Sequence, residues 1–184
     1  MVTEPRPTRA EVTDAAHAVD ERADAVMLAG ETAAGAYPVR AVETLDAIIR
    51  EVEAVAVRRE DVAPDAAARS RPGRPLCEAA VTLADRSEAA AIVAMTRAGK
   101  TARMLSSLRP AARILAATPS ARVAAQLALT WGVVPLVTPA PSIADVRGAL
   151  HMARLVTDGD IVVFVSMHPK LGPDGRNYIH VERV

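Results

Sequence analysis

From residue 75 onward, short apolar runs alternate with stretches that repeat their apolar residues every three to four positions. The runs Ala89–Met95, Arg113–Ala117, Val133–Val137 and Ile161–Ser166 have the length, about four to eight residues, and the composition of buried strands. Between them the periodicity predicts helices over 76–86, Lys100–Leu108, 120–129 and Ile143–Leu155. In the first of these, Leu76, Ala80, Leu83 and Ala84 share one face; Ser120 is placed as an N-cap for the third. Gly99, Gly132 and the Asp158-Gly159-Asp160 turn punctuate the alternation. A Gly/Pro-rich loop, 167–176, precedes a last strand, Tyr178–Val184. Helices alternating with apolar strands predict an α/β fold: a three-layer α/β/α domain over 75–184 with a mostly parallel five-stranded sheet. The final strand is expected antiparallel at an edge.

The first third of the chain reads differently. A helix is expected over 8–22, with Thr8 as N-cap, Glu11 completing a capping box, and Val12, Ala15, Ala16 and Val19 on one face. The apolar run Ala25–Ala29 suits a buried strand; Gly30 breaks it, Glu31 and Thr32 stand at its exit, and Gly35 and Pro38 mark the loop. A second helix, Pro38 to about Ala56, places Val42, Leu45, Ile49 and Val52 on one face. Glu43, Asp46, Arg50 and Glu53 fall largely on the other. One strand cannot make a sheet, so this helix-strand-helix segment implies a partner. Arg58–Arg74 has the charged, Ala-rich and Pro/Gly-rich composition of a linker.

Composition narrows the function classes. The chain is 51% hydrophobic but only 2% aromatic, so its core must be built from Ala, Val, Leu and Ile. Twenty-two basic residues balance 22 acidic ones, which argues against a nucleic-acid partner. Val123–Val137, the most apolar long stretch, is interrupted by Gln126, Thr130, Gly132 and Pro135 and is too short for a membrane span. Cys77 is the single cysteine; it sits in a helical apolar pattern as a buried, inert thiol, and a reducing cytoplasm is expected. His17, His151, His168 and His180 are scattered without metal-ligand spacing.

Two blocks at fixed spacing carry a resemblance. Pro7-Thr8-Arg9-Ala10-Glu11-Val12 is followed by Ala23-Asp24-Ala25-Val26-Met27-Leu28-Ala29-Gly30-Glu31-Thr32-Ala33 and then Tyr37-Pro38. This resembles pyruvate kinase near the end of its catalytic barrel, with Ala29 where Ser is usual, and the resemblance extends over the whole chain while matching only the last part of the longer family sequence. It implies a partial (β/α) barrel remnant over 1–57, a linker over 58–74, and a carboxyl-terminal regulatory α/β domain over 75–184. It also implies Mg²⁺ and K⁺ for the complete enzyme, with the enolate-stabilising Lys, the metal-binding acids and the proton-transfer Thr all upstream of this chain. No residue here takes a catalytic or metal role, and the chain alone is expected to be inactive. The expected partners are the remainder of such a chain, or a homotetramer. Met1 coincides with a family methionine just after the active-site Thr segment, so the chain would start inside the barrel.

The strongest chemical candidate is Thr96-Arg97-Ala98-Gly99-Lys100-Thr101, at a strand-to-helix junction. Free amides of Ala98, Gly99, Lys100 and Thr101 with the Thr96 and Thr101 hydroxyls and two cations would suit a phosphate; the local sequence alone favours the alternative, an ordinary turn with solvated charges. By resemblance the loop holds the phosphate of an allosteric sugar phosphate or nucleotide, Ala98 lacking the usual hydroxyl. The same resemblance adds the loop Gly172-Pro173-Asp174-Gly175-Arg176-Asn177, retaining Gly175 and Asn177, where Asp174 would repel a phosphate and Lys170 and Arg176 attract one. Gly30, Glu31 and Thr32 form a barrel-loop candidate, against which stands a Glu31 that merely braces the next helix. Arg9 and Glu11 are candidate subunit contacts, or a surface ion pair. A separately encoded, non-catalytic protein sensing a phosphorylated metabolite is the alternative function.

Overall fold

The computed structural model describes residues 1–56, 73–139, 142–167 and 177–184. The chain divides into two units, Met1–Ala63 and Pro64–Val184.

In the first unit, α1 (Arg9–Asp20), the single turn α2 (Gly30–Ala33) and α3 (Pro38–Ala56) pack together. The capping box forms: Thr8 Oγ1 accepts from the Glu11 amide at 3.2 Å, and Glu11 Oε2 accepts from the Thr8 amide at 2.7 Å. The expected apolar face of α1 (Val12, Ala15, Ala16, Val19) is half-buried. The strand expected at Ala25–Ala29 does not form. A strand exists only through hydrogen bonds to a neighbour, and none pairs with this run among the described residues; Met27 is 87% exposed rather than buried. On α3, Ala41 is buried and Leu45, Ile49 and Val52 are half-buried, but Val42, expected on that face, is 53% exposed. The apolar surface of α3 is wider than α1 and α2 cover.

The second unit begins with α4 (Arg74–Arg86), two residues earlier than expected, because Gly73 in the left-handed region (φ 91°) starts the helix and Pro75 occupies its first turn. Residues 58–72 of the expected linker lie outside the described residues. β1 (Ala91–Met95), α5 (Lys100–Ser107), β2 (Arg113–Thr118), α6 (Ala121–Leu127), β3 (Val133–Val137), α7 (Ile143–Met152), β4 (Ile161–Ser166) and β5 (Tyr178–Arg183) follow. The helices expected to reach 129 and Leu155 end at Leu127 and Met152. The strands form one sheet in the order β3-β2-β1-β4-β5, parallel except for the antiparallel β4–β5 pair.

That order and the handedness of the crossovers fix the layers. A parallel crossover is right-handed, so α5 and α6, which step the chain outward from β1 to β2 to β3, lie on one face. The return from β3 past β1 to β4 puts α7 on the other. The cores agree. One contains Cys77, Ala80, Ala84, Leu105 and Leu127 against Ile92, Ala94, Ile114, Ala116, Val163 and Val165. The other sets Val146 and Leu150 of α7 against Val93, Leu115, Val162 and Phe164. Alternate residues of each central strand thus serve opposite layers, and all five residues of β1 are buried. This explains why the strands read as continuous apolar runs rather than alternating ones. The buried side of α4 is Cys77, Ala80 and Ala84, while Leu83 lies at its margin, 36% exposed.

Two outcomes follow. Leu115→Ala, at a fully buried site on β2, should lower stability by about 2–5 kcal/mol, read as a fall in urea midpoint at constant m. Cys77 is pushed up to about 12, first by burial and then by Glu78, with Arg74 opposing. It should not react with iodoacetamide at neutral pH until the protein unfolds. The folded thiol holds its proton above the ordinary 9.0, so its contribution to stability is complete below that pH and is lost as pH rises toward 12. Cys77→Ala should flatten that alkaline decline.

Candidate functional site

Because β1 and β4 are neighbours whose connections leave in opposite directions, their carboxyl ends form the switch point of the sheet, where open α/β sheets place ligands. Met95 is in register with Ser166, and Ser166 with Tyr178. The turn after β1 (Thr96–Gly99) and Asn177, immediately before β5, therefore leave from the same edge. Thr101 and Asn177, 76 positions apart in the sequence, are brought to this end of the sheet only by this pairing. Gly175, with Lys170, Asp174 and Arg176, lies outside the described residues.

The turn is built from the inside. Thr96 is 3% exposed; its amide donates to the Ala117 carbonyl at 2.9 Å, and its Oγ1 accepts from the Gly99 amide at 2.9 Å. Gly99 is the N-cap of α5 at φ 80°. A Cβ there would stand 2.7 Å from the mobile end of Arg103 and 3.1 Å from Leu127 Cδ2, so the conformation calls for glycine and the tight fit against Leu127 adds to it. Two sequence expectations are corrected here. The Gly99 amide is not free, and the Thr96 hydroxyl oxygen faces inward as its acceptor, because burying both without each other would leave a polar group unpaired. Outside, Arg97, Ala98 and Lys100 are exposed while Thr101 is only 3% exposed. Sequence reasoning missed Arg103, whose Nη1 donates to the Ala98 carbonyl at 3.0 Å. Its spacing of three from Lys100, on the same side of a helix, was the available signal. Ala98, Lys100, Arg103 and Met104 line a shallow open depression.

Sulfur atoms lie in both core layers near that end of the sheet, Met95 in one and Cys77 and Met167 in the other. The Tyr178 hydroxyl donates to Met95 Sδ at 2.7 Å, and burial raises its pKa. Cys77 Sγ lies 3.8 Å from Met167 Sδ, and Arg74, 8% exposed, reaches Glu78 at 2.7 Å.

In the first unit, Gly30 opens α2 and Glu31 turns its carboxylate back onto the Ala29 amide at 3.1 Å. Its own backbone amide, then that of Ala29, hold its pKa below the ordinary carboxylate value. Thr32 Oγ1 donates to the Ala29 carbonyl at 3.3 Å. A Cβ on Gly35 would stand 2.4 Å from the Glu31 carbonyl oxygen. These bonds brace the turn at the start of α2. Arg9 is exposed at the start of α1, and Glu11 bonds the Met1 amine in addition to Thr8. His17, His151 and His180 stand beside Glu21, Asp158 and Glu182 at 3.2, 3.8 and 3.5 Å; His168 lies outside the described residues. No group of three or more His, Cys, Asp or Glu side chains among the described residues is arranged to hold a metal ion. No helix among them is long and apolar enough to cross a membrane.

Comparison with known proteins gives two family matches: "Pyruvate kinase, alpha/beta domain" over residues 74–182, and "Pyruvate kinase, barrel domain" over residues 1–42. The chain is 42% identical over 173 residues to pyruvate kinase 2 of Synechocystis sp., covering 90% of this chain and 28% of that protein. It is 38% identical over 192 residues to pyruvate kinase of Agrobacterium vitis, covering 100% of this chain and 39% of that protein. With pyruvate kinase of Mycobacterium tuberculosis it shares 38% identity over 191 residues, again 100% of this chain and 39% of the relative. The chain thus spans two-fifths or less of the length of these relatives.

The turn geometry generates a pair of expectations. Thr96→Val should strand the buried Gly99 amide and cost about 1–3 kcal/mol in chemical unfolding. Gly99→Ala, forced into a positive φ and against Arg103 and Leu127, should cost more than about 1 kcal/mol by the same measurement.

Proposed function

The chain belongs to the pyruvate kinase family, and from that premise we propose that it forms the carboxyl-terminal portion of a cytoplasmic enzyme. That enzyme transfers the phosphoryl group of phosphoenolpyruvate to ADP. In this reading 1–57 closes the catalytic barrel, 58–74 is a linker and 75–184 is the regulatory domain. Mg²⁺ and K⁺ belong to the rest of the enzyme: the acids and histidines described here do not fit a metal, and no catalytic step is assigned to them. Gly30, Glu31 and Thr32 shape a barrel loop, and Arg9 and Glu11, at the start of α1, contribute to subunit contacts in a homotetramer.

The observation that carries the regulatory role is the convergence of the Thr96–Thr101 turn and Asn177 on one edge of the sheet at its switch point. There a phosphorylated metabolite would meet the amides of Lys100 and Thr101 at the start of α5, with Arg97, Lys100 and Arg103 supplying positive charge. Thr96 serves the site from beneath by holding the turn, Asn177 stands at the same end of the sheet, and Gly175 is assigned to the site by the family resemblance alone.

Titrating sugar phosphates and AMP while following thermal unfolding tests the effector site. A ligand at 100 times its Kd should stabilise the native state by about 2.7 kcal/mol, and Lys100→Ala should reduce the shift. No shift with any of them would remove the proposal. Separately, the purified chain with Mg²⁺, K⁺, phosphoenolpyruvate and ADP should show no turnover above background; metal-dependent turnover would contradict the assignment of catalysis to the missing part.

A further inference from the structure

Among the described residues the sheet ends on one side at β3, a strand that carries a proline in its middle. The hydrogen-bond parity of that strand fixes what the proline does. The Ile114 amide donates to the Gly132 carbonyl and the Thr138 amide to the Thr118 carbonyl, with Ile114 in register with Val133 and Thr118 with Val137. In a parallel ladder of this register the amides of 134, 136 and 138 face β2, and those of 133, 135 and 137 face outward. The Val133 amide is taken by the Thr130 carbonyl at 3.2 Å, and position 135 is proline, which has no amide hydrogen. Val137 is the remaining outward donor. An added strand would find one donor spent, one absent, and a pyrrolidine ring where its own carbonyl should dock.

The surroundings make such a block necessary. Val134 is 39% exposed, Val137 51% and Leu129 70%, so this border is both apolar and rich in β-branched residues, the combination that promotes edge-to-edge pairing. We propose that Pro135 is a gatekeeper that closes the β3 edge of the sheet to strand addition by a second copy of this chain. The device works by placing the one residue without a donor on the outward parity; at 134 or 136 the same proline would have broken the β2 ladder instead.

Pro135→Val restores the outward amide and a strand-forming side chain; Pro135→Ala restores the amide alone. Measured on the full chain by light scattering beside the parent, both should self-associate faster and at lower concentration, Val more than Ala. Leu115→Ala, which weakens the core and leaves the edge unchanged, controls for aggregation through unfolding. Hydrogen exchange supplies the second reading: the amide created at 135 should exchange freely in dilute variant and become protected as the variant associates. Association no faster than the parent's would overturn the proposal. So would association matching Leu115→Ala with position 135 unprotected.

Discussion

The second unit depends on β1 having a parallel partner on each side. Those two pairings satisfy every backbone group of a strand whose five residues are all buried, and a buried strand with an unpaired side would leave polar groups that no water reaches. They also force the crossovers apart onto two faces, since a right-handed connection can step outward on one face only. The two cores, the position of α7 opposite α5 and α6, and the common end of the sheet at Thr96 and Asn177 are all consequences of that arrangement.

The first unit shows the same constraint unmet. Ala25–Ala29 has the composition of a buried strand, yet among the described residues nothing pairs with it and Met27 is exposed. The helices on either side form because their hydrogen bonds are internal to each segment, whereas a strand is defined by what lies beside it. Local chemistry then takes over the turn: Glu31, in a position that reads as a functional exit from a barrel strand, spends its carboxylate on the Ala29 amide.

At the switch point, the charges and the scaffold of the turn separate. Thr96 and Gly99 hold its shape through a buried hydrogen bond, while Arg97, Lys100 and Arg103 lie on the outer side. The residue types at 96–101 suggested a phosphate cradle built from the amides of Ala98, Gly99, Lys100 and Thr101 and the hydroxyls of Thr96 and Thr101. Burial decided otherwise for Thr96, since a hydroxyl at 3% exposure must find its partner inside the protein.

The sequence by itself determined the α/β class, the order of elements from α4 onward, the helix caps at Thr8 and Ser120, and the family, because periodicity, capping and motif spacing are properties of neighbouring residues. It also put a buried thiol at Cys77, which the helical pattern made plain. Only the tertiary structure decided which strands are neighbours, that Met95 meets Ser166, that Arg103 joins the turn, and that Pro135 points its missing donor outward. Those facts depend on pairing between segments tens of residues apart, and a single strand carries no record of its partner or of which way its amides face.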